Sequence, residues 1–335
     1  MKYLMLLKPF ANVNYRKEAL TLAAAEAHAL LEKAGVTCEV KQSSLMDADT
    51  LEFECSELTD RQKETLSLSS HLYLLFMQGE NGLVPVSGKR RSVFGDELPL
   101  ILKYKGKTNE TFTEFMLNMA LCSSSFDTDQ GLTVLDPMCS KGTTLFEALN
   151  RGWNALGFDS DGKAVAEGSA FFKKYLEMNR LKHTAAEKSL TAKGKELTKL
   201  TVFETAASAE EFKKGNKQTL SMGSADSSKL TAVYKKPVCD LIVCDLPYGV
   251  QHSASDRKQP LEDMLYNVLP VWTELLRTGG AMALSFNTNT LKSEMVRGMM
   301  AEVGLDVMFG EDYDHLTHRV EQAITRDVAV AARRF

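Results

Sequence analysis

The chain has 335 residues, of which 44% are hydrophobic and 25% charged, with a formal net charge of −4 and a pI near 6.0. This length allows one large domain plus a smaller one, and the composition is that of a globular chain that buries its core without needing disulfides. The charge excludes a protein that grips nucleic acid with its whole surface, so any such contact must come from local basic patches.

In chain order, Met1–Leu7 carries one lysine and a very short apolar run, too short for a signal peptide or a membrane span. It reads as the first strand, over Lys2–Lys8. An Ala/Leu/Glu-rich stretch with apolar residues at three and four spacing predicts a helix over Tyr15–Ala34, ended by Gly35. Strands follow over Val36–Lys41 and Thr50–Glu54, then a helix over Thr59–Ser69 and a strand over His71–Met77. The order β-α-β-β-α-β predicts a small ferredoxin-like α+β module over residues 1–100. Gly79–Leu98 reads as a linker or hairpin that includes the basic cluster Lys89-Arg90-Arg91, and a helix is expected over Glu110–Cys122.

From Leu132 onward the pattern changes. Short apolar strands alternate with helices, the signature of an α/β domain built on a Rossmann-like parallel sheet. Its strands are expected at Leu132–Leu135, Ala155–Phe158, Leu241–Cys244 and Ala281–Phe286, with a last pair near Leu305–Phe309 and Asp327–Ala332. The polar stretch Lys182–Lys217 reads as a helix plus an exposed insertion. The six cysteines (Cys38, Cys55, Cys122, Cys139, Cys239 and Cys244) form no C-x-x-C pair, which argues against a zinc site and for a reducing cytosol. Cys139 and Cys244 read as small packing residues, and His315 and His318 as local hydrogen-bonding groups.

Three segments carry chemistry. In the first, a buried strand ends at Asp136, followed by the small-residue turn Pro137-Met138-Cys139-Ser140-Lys141-Gly142 and a helix starting near Thr143 and Thr144. In open α/β sheets ligands bind beyond the carboxyl ends of the strands, where small residues admit a ligand and helix-start N–H groups hold a carboxylate. Asp136 can accept from an ammonium group, so one loop meets both charged ends of a methionine moiety. The second segment is the strand Asn154–Asp159, whose terminal acid can take both hydroxyls of a ribose, with Ser160 beside it. Alone this signal is weak; downstream of the first loop it gains weight. The third is Asp240–Gly249, an apolar strand that delivers Asp245-Leu246-Pro247-Tyr248 to the same edge. An exocyclic amine is a poor nucleophile, its lone pair being delocalised into the ring. The Asp245 carboxylate and the Leu246 carbonyl can accept its two N–H hydrogens and orient that lone pair, while Tyr248 offers a stacking face.

These segments resemble class I S-adenosylmethionine-dependent methyltransferases with an (Asn/Asp)-x-Pro-Tyr amine site, and most closely the THUMP-associated group that methylates guanine N2 in tRNA. The stretches Tyr104–Thr113 and His318–Asp327 are similar to the lead-in and tail of that group. The resemblance covers roughly the last two-thirds of the chain. It implies S-adenosyl-L-methionine as cofactor, RNA (tRNA above all) as partner, no metal and a cytoplasmic setting. It also implies that Ala225 and Asp226, in Ser221–Asp226, meet the adenine ring edge and amine. The methyltransferase domain would span residues 101–335. Two departures stand out: Ser140 occupies a position where the group carries Gly, and the N-terminal part is too short for a ferredoxin-like domain plus a complete THUMP domain. The same amine chemistry also serves DNA adenine-N6 or cytosine-N4 methyltransferases and protein-glutamine amide methyltransferases. A non-catalytic RNA-binding protein of this fold is a further alternative, against which the intact Asp245–Tyr248 argues.

Overall fold

The computed structural model describes residues 1–9, 16–90, 92–104, 107–192, 194–247, 261–321 and 324–335. The N-terminal part runs β1 (Lys2–Leu7), α1 (Arg16–Lys33), β2 (Val40–Leu45), β3 (Ala48–Glu54), α2 (Asp60–Leu66), β4 (Leu72–Gly79) and β5 (Gly82–Gly88). The strands form one antiparallel sheet of order β2-β3-β1-β4-β5. The first four keep the ferredoxin-like order expected from β-α-β-β-α-β, and β5 turns back on β4 as a hairpin. Thr59 starts α2 through a reciprocal capping box with Gln62. The β2 strand begins four residues later than its sequence suggests. Its burial pattern is almost wholly exposed or half-exposed, so no alternation marks its start.

The remainder continues with α3 (Glu97–Ile101), α4 (Glu110–Ser123), β6 (Thr133–Asp136), α5 (Thr143–Asn150), β7 (Asn154–Asp159) and α6 (Gly162–Met178). Next come β8 (His183–Ala192), β9 (Lys195–Thr205), α7 (Ala209–Lys214), β10 (Gln218–Ser224), a 3₁₀ turn over Ser227–Ala232, and β11 (Cys239–Asp245). The chain ends with α8 (Leu261–Leu275), β12 (Leu276–Asn287), α9 (Ser293–Glu302), β13 (Asp306–Val307), α10 (Glu311–Asp314), β14 (His318–Glu321) and β15 (Ile324–Ala332). These strands make a second sheet of order β13-β15-β12-β11-β6-β7-β10-β9-β8, with β14 paired to β15. Strands β10, β7, β6, β11 and β12 are mutually parallel, whereas β15 and the β8–β9 hairpin are antiparallel to their neighbours. The Rossmann-like sheet expected from the sequence is thus present. The stretch Lys182–Lys217 corrects its expectation: it adds two long strands to the sheet edge, and its helix is only the short α7.

The central strands are buried on both faces, as parallel strands covered by helices must be. One face, with α4, α5 and α6, shares a continuous apolar core with α1 and the N-terminal sheet, running from Tyr3, Met5 and Leu30 to Phe115, Phe146 and Val134. The other face packs α8 and α9 around Trp272, Leu269, Met282 and Met300. A buried polar link crosses from α1 to α4. Glu26, with none of its surface exposed, accepts from the Asn118 amide, from the Ser69 and Ser70 hydroxyls and from the Ser70 N–H. Among the described residues no helix is long and apolar enough to cross a membrane.

Candidate active site

Four acids stand at the carboxyl edge of the parallel sheet: Asp136 closes β6, Asp159 closes β7, Asp226 follows β10 and Asp245 closes β11. Strand register sets the first two side by side, with Asp136 opposite Gly157 and Asp159 opposite Ser224. The turn from β6 to α5 is held tightly. Cys139 N–H donates to the Phe158 carbonyl (2.8 Å) and Gly142 N–H to the Cys139 carbonyl (2.7 Å). Gly142 sits at φ 98° and Ser140 at φ 46°, so the loop needs two residues in the left-handed region. A glycine bears the first without cost; Ser140 bears the second under strain. Gly157 lets β7 approach this loop, since a Cβ there would lie 2.4 Å from the Leu145 side chain.

Asp136 is 4% exposed, and its carboxylate accepts from Met138 N–H at 3.1 Å. Burial pushes its pKa up to about 7, with the charges of Asp159 and Asp245 adding to the rise and the Thr144 hydroxyl and Met138 N–H opposing it. An acid in this state lacks a cation. The start of α5 lies against it through the Thr144 hydroxyl, and Gly142, which precedes that helix, has no side chain to cap it, which leaves its first-turn N–H groups for an anion. Asp136 together with α5 therefore fits a zwitterionic amino-acid end, and an edge lined with carboxylates fits a cationic ligand. The Asp159 carboxylate accepts Ser140 N–H (2.8 Å) and Asp161 N–H (2.8 Å), one on each oxygen, which fixes its plane and leaves each oxygen a further acceptor position. Pro137, Gly142, Thr143 and Thr144 are buried in the same turn, Met138 is half-buried, and Ser160 is exposed beyond Asp159.

Asp226 sits differently. Its Oδ1 caps the 3₁₀ turn by accepting Ser228 N–H (3.0 Å) and the Ser228 hydroxyl (2.7 Å), and Lys229 lies 3.1 Å from Oδ2. Ala225 is buried next to it, with its N–H donating to the Asp159 carbonyl at 3.0 Å. The loop is thus at the site, but the Asp226 carboxylate is engaged in capping.

Asp245 is gripped from three elements that are far apart in sequence. Thr108, just before α4, and Ser285, near the end of β12, donate hydroxyls to its two oxygens, and the Arg326 guanidinium of β15 lies 3.6 Å away. Arg326 is itself buried and stacks over the Phe112 ring at 4.3 Å. His318 also packs against Phe112, tilted, with ring centroids 4.9 Å apart, and its Nδ1 meets the Leu316 carbonyl at 3.0 Å. Burial lowers the His318 pKa to about 4, so this ring is neutral near pH 7 and bonds locally, as its sequence position suggested. Leu246 is buried with its N–H on the Ser285 carbonyl (2.9 Å), and Pro247 is half-buried beside it. Tyr248 lies outside the described residues.

Several residues at the site carried no sequence assignment. Thr108 and Phe112 fall in the lead-in segment and Arg326 in the tail segment, so only the resemblance marked them. Ser285 is one more small residue in an apolar strand. Tyr104 also belongs here: its hydroxyl lies 3.1 Å from that of Thr143 and its ring carries Lys141 at 5.1 Å, beside the β6–α5 turn. By contrast Lys89, read as part of a basic patch, is consumed internally by Glu114 (2.8 Å) and the Ser69 carbonyl (3.0 Å), and Arg91 lies outside the described residues.

A family model described as UPF0020, RMKL-like methyltransferase domain, matches residues 103–313, more than half of the chain. The chain belongs to this family. The matched residues include Thr108, Asp136, Asp159, Asp245 and Ser285, with Arg326 beyond them, and the protein is a methyltransferase that uses S-adenosylmethionine. No curated protein matches the chain. Among solved structures it is similar to TrmN from Thermus thermophilus, at 14% identity and TM-score 0.41, over 88% of this chain and 60% of that one. It is also similar to the rRNA methyltransferase aviRa from Streptomyces viridochromogenes, at 13% identity and TM-score 0.43, over 72% of this chain and 92% of that one. A methyltransferase from Pyrococcus furiosus aligns at 12% identity and TM-score 0.41, over 70% of this chain and 89% of that one. Likeness at this level bears on neither substrate nor mechanism.

Proposed function

We propose that this methyltransferase modifies an exocyclic amine of an RNA base, with guanine N2 in tRNA as the acceptor that the Asp245–Gly249 motif favours. The observation that carries the reading is the anchoring of Asp245. A carboxylate fixed by Thr108, Ser285 and Arg326, at the same sheet edge as Asp136 and Asp159, is an oriented hydrogen-bond acceptor. Transfer to a ring carbon or a ribose hydroxyl has no use for an acceptor paired with a backbone carbonyl. A planar amine with two N–H groups does.

S-adenosylmethionine supplies an electrophilic methyl group when bound. Asp136 would hold its ammonium, the α5 start its carboxylate, Asp159 its ribose and the Ala225 loop its adenine. Asp245 and the Leu246 carbonyl take the two N–H groups of the acceptor and turn its lone pair toward the methyl group. As the methyl group's bond to sulfur breaks and its bond to nitrogen forms, the sulfur would leave as a neutral thioether and positive charge would develop on the amine nitrogen next to the Asp245 carboxylate, which Arg326 approaches at 3.6 Å; the displaced N–H proton would pass to that carboxylate or to solvent. Tyr248, following Pro247 in sequence, supplies the stacking face. Because a paired base cannot reach this edge, the acceptor must be single-stranded or flipped out.

The test is single-turnover methyl transfer at saturating cofactor. Asp245→Ala should leave cofactor affinity within a few-fold of the parent while lowering the transfer rate by about two orders of magnitude or more, because its contact strengthens in the transition state. Transfer at the parental rate would remove the amine mechanism and leave only the methyltransferase assignment.

A further inference from the structure

The β8–β9 hairpin is a long element on the sheet's edge that the site does not use. Register places it. Leu200 of β9 lies opposite Gly223 of β10, and Ser224 of β10 lies opposite Asp159, so the sheet reaches its carboxyl edge at the level of Leu200. Residues 195–199 of β9 and their partners in β8, from Ser189 to Ala192, continue past that edge. At about 3.3 Å per residue this is an arm of roughly 16 Å on the ligand side of the sheet. Its base is anchored: Leu190 and Leu200 are buried in the same cluster as Ala225 and Leu230, the loop beside the proposed adenine pocket. Four strand spacings of about 4.8 Å separate β9 from β11, so the arm stands roughly 19 Å from Asp245 along the edge.

The chemistry of the arm runs against that of the whole chain. Although net charge is −4 overall, residues 182–199 carry Lys182, Lys188, Lys193, Lys195 and Lys199 against only Glu187 and Glu196. Lys188, Lys195 and Lys199 are exposed and form no ion pair among the described residues, whereas the nearby Lys217 is paired with Glu204 at 3.0 Å. They stand on a ribbon whose first strand is exposed over most of its length, where a polyanionic backbone can reach them. We infer that the β8–β9 hairpin is a phosphate-contacting arm that grips the RNA backbone beside the base presented to Asp245. This inference rests on the RNA reading above and adds to it a recognition surface distinct from the chemistry.

The experiment compares the full-length parent with the triple variants Lys188→Gln/Lys195→Gln/Lys199→Gln and Lys188→Arg/Lys195→Arg/Lys199→Arg. Binding of a fluorescein-labelled stem–loop RNA is followed by anisotropy across a salt series, and cofactor affinity by calorimetry. The glutamine variant should bind RNA about tenfold or more weakly at low salt, with a log–log salt slope smaller by about two to three, because three phosphate contacts are lost. Its cofactor affinity should equal the parent's, and the arginine variant should keep the parental slope. An unchanged slope in the glutamine variant overturns the arm, even if affinity falls. Methyl transfer to the RNA by the parent, scored in parallel, separates the two failures. Transfer to RNA with an unchanged slope refutes the arm alone, whereas transfer only to DNA or protein refutes the RNA reading and the arm with it.

Discussion

Asp136→Asn separates what the cofactor site costs the fold from what it gives to binding. Asp136 is buried, with its pKa raised from 3.8 to about 7. A carboxyl whose folded pKa exceeds its unfolded one destabilises the fold increasingly as pH rises from the unfolded value to the folded value, and by a constant amount above it. Three pKa units at about 1.4 kcal/mol each give an upper figure of roughly 4 kcal/mol at pH 8. Asparagine keeps an oxygen for the Met138 N–H and carries no charge, so the ligand-free variant should be more stable than the parent at pH 8, by roughly 2–4 kcal/mol. The gain should shrink toward zero near pH 4. Binding should move the opposite way. The parent must ionise Asp136 to hold an ammonium, so its cofactor affinity should rise roughly eightfold from pH 6 to pH 7.5, and the variant should bind weakly with little pH dependence. Urea denaturation at several pH values and calorimetry with S-adenosylmethionine measure both. A variant less stable than the parent at pH 8, or a parent whose affinity is flat over this interval, would refute the reasoning.

Asp159→Ala should weaken cofactor binding by roughly 1.5–3 kcal/mol through loss of charge-assisted hydrogen bonds, and calorimetry showing unchanged affinity would take Asp159 out of the site. Glu26→Gln tests the α1–α4 link. Burial alone would raise the Glu26 pKa, but His71, Asn118 and Ser70 outweigh it and hold the value at about 2. Its contribution, roughly 3 kcal/mol, is present above the ordinary carboxyl pKa and is lost as pH falls from about 4.5 toward 2. The stability difference between parent and Glu26→Gln should therefore be full at pH 7 and close in acid; a gap that persists at pH 2.5 would locate the effect in packing instead.

The β6–α5 turn was legible because its physics is local. An apolar strand, a terminal acid, small residues and a helix start all fall between Thr133 and Thr144, and each constrains the next. Asp159 and Asp245 were legible for the same reason, as acids ending apolar strands. The grip on Asp245 was not, since Thr108 and Ser285 stand 137 and 40 residues away from it in sequence and only strand order brings them together. Lys89 misled because charge in a sequence says nothing of a partner such as Glu114, which α4 supplies. The hairpin misled for another reason: nearly every residue of β8 is exposed, so the alternation that marks a half-buried strand never develops. Its Lys, Thr and Ala content then reads as helix and insertion.

The most direct test of the central claim is product identification. The protein is incubated with S-adenosylmethionine labelled in its methyl group and, separately, with RNA, DNA and protein fractions, and the labelled fraction is hydrolysed and resolved. The account predicts label in RNA, on the exocyclic amine of a base, with N2-methylguanosine as the leading product. Label on a ring carbon, a ribose hydroxyl, a DNA base or a glutamine side chain would contradict it.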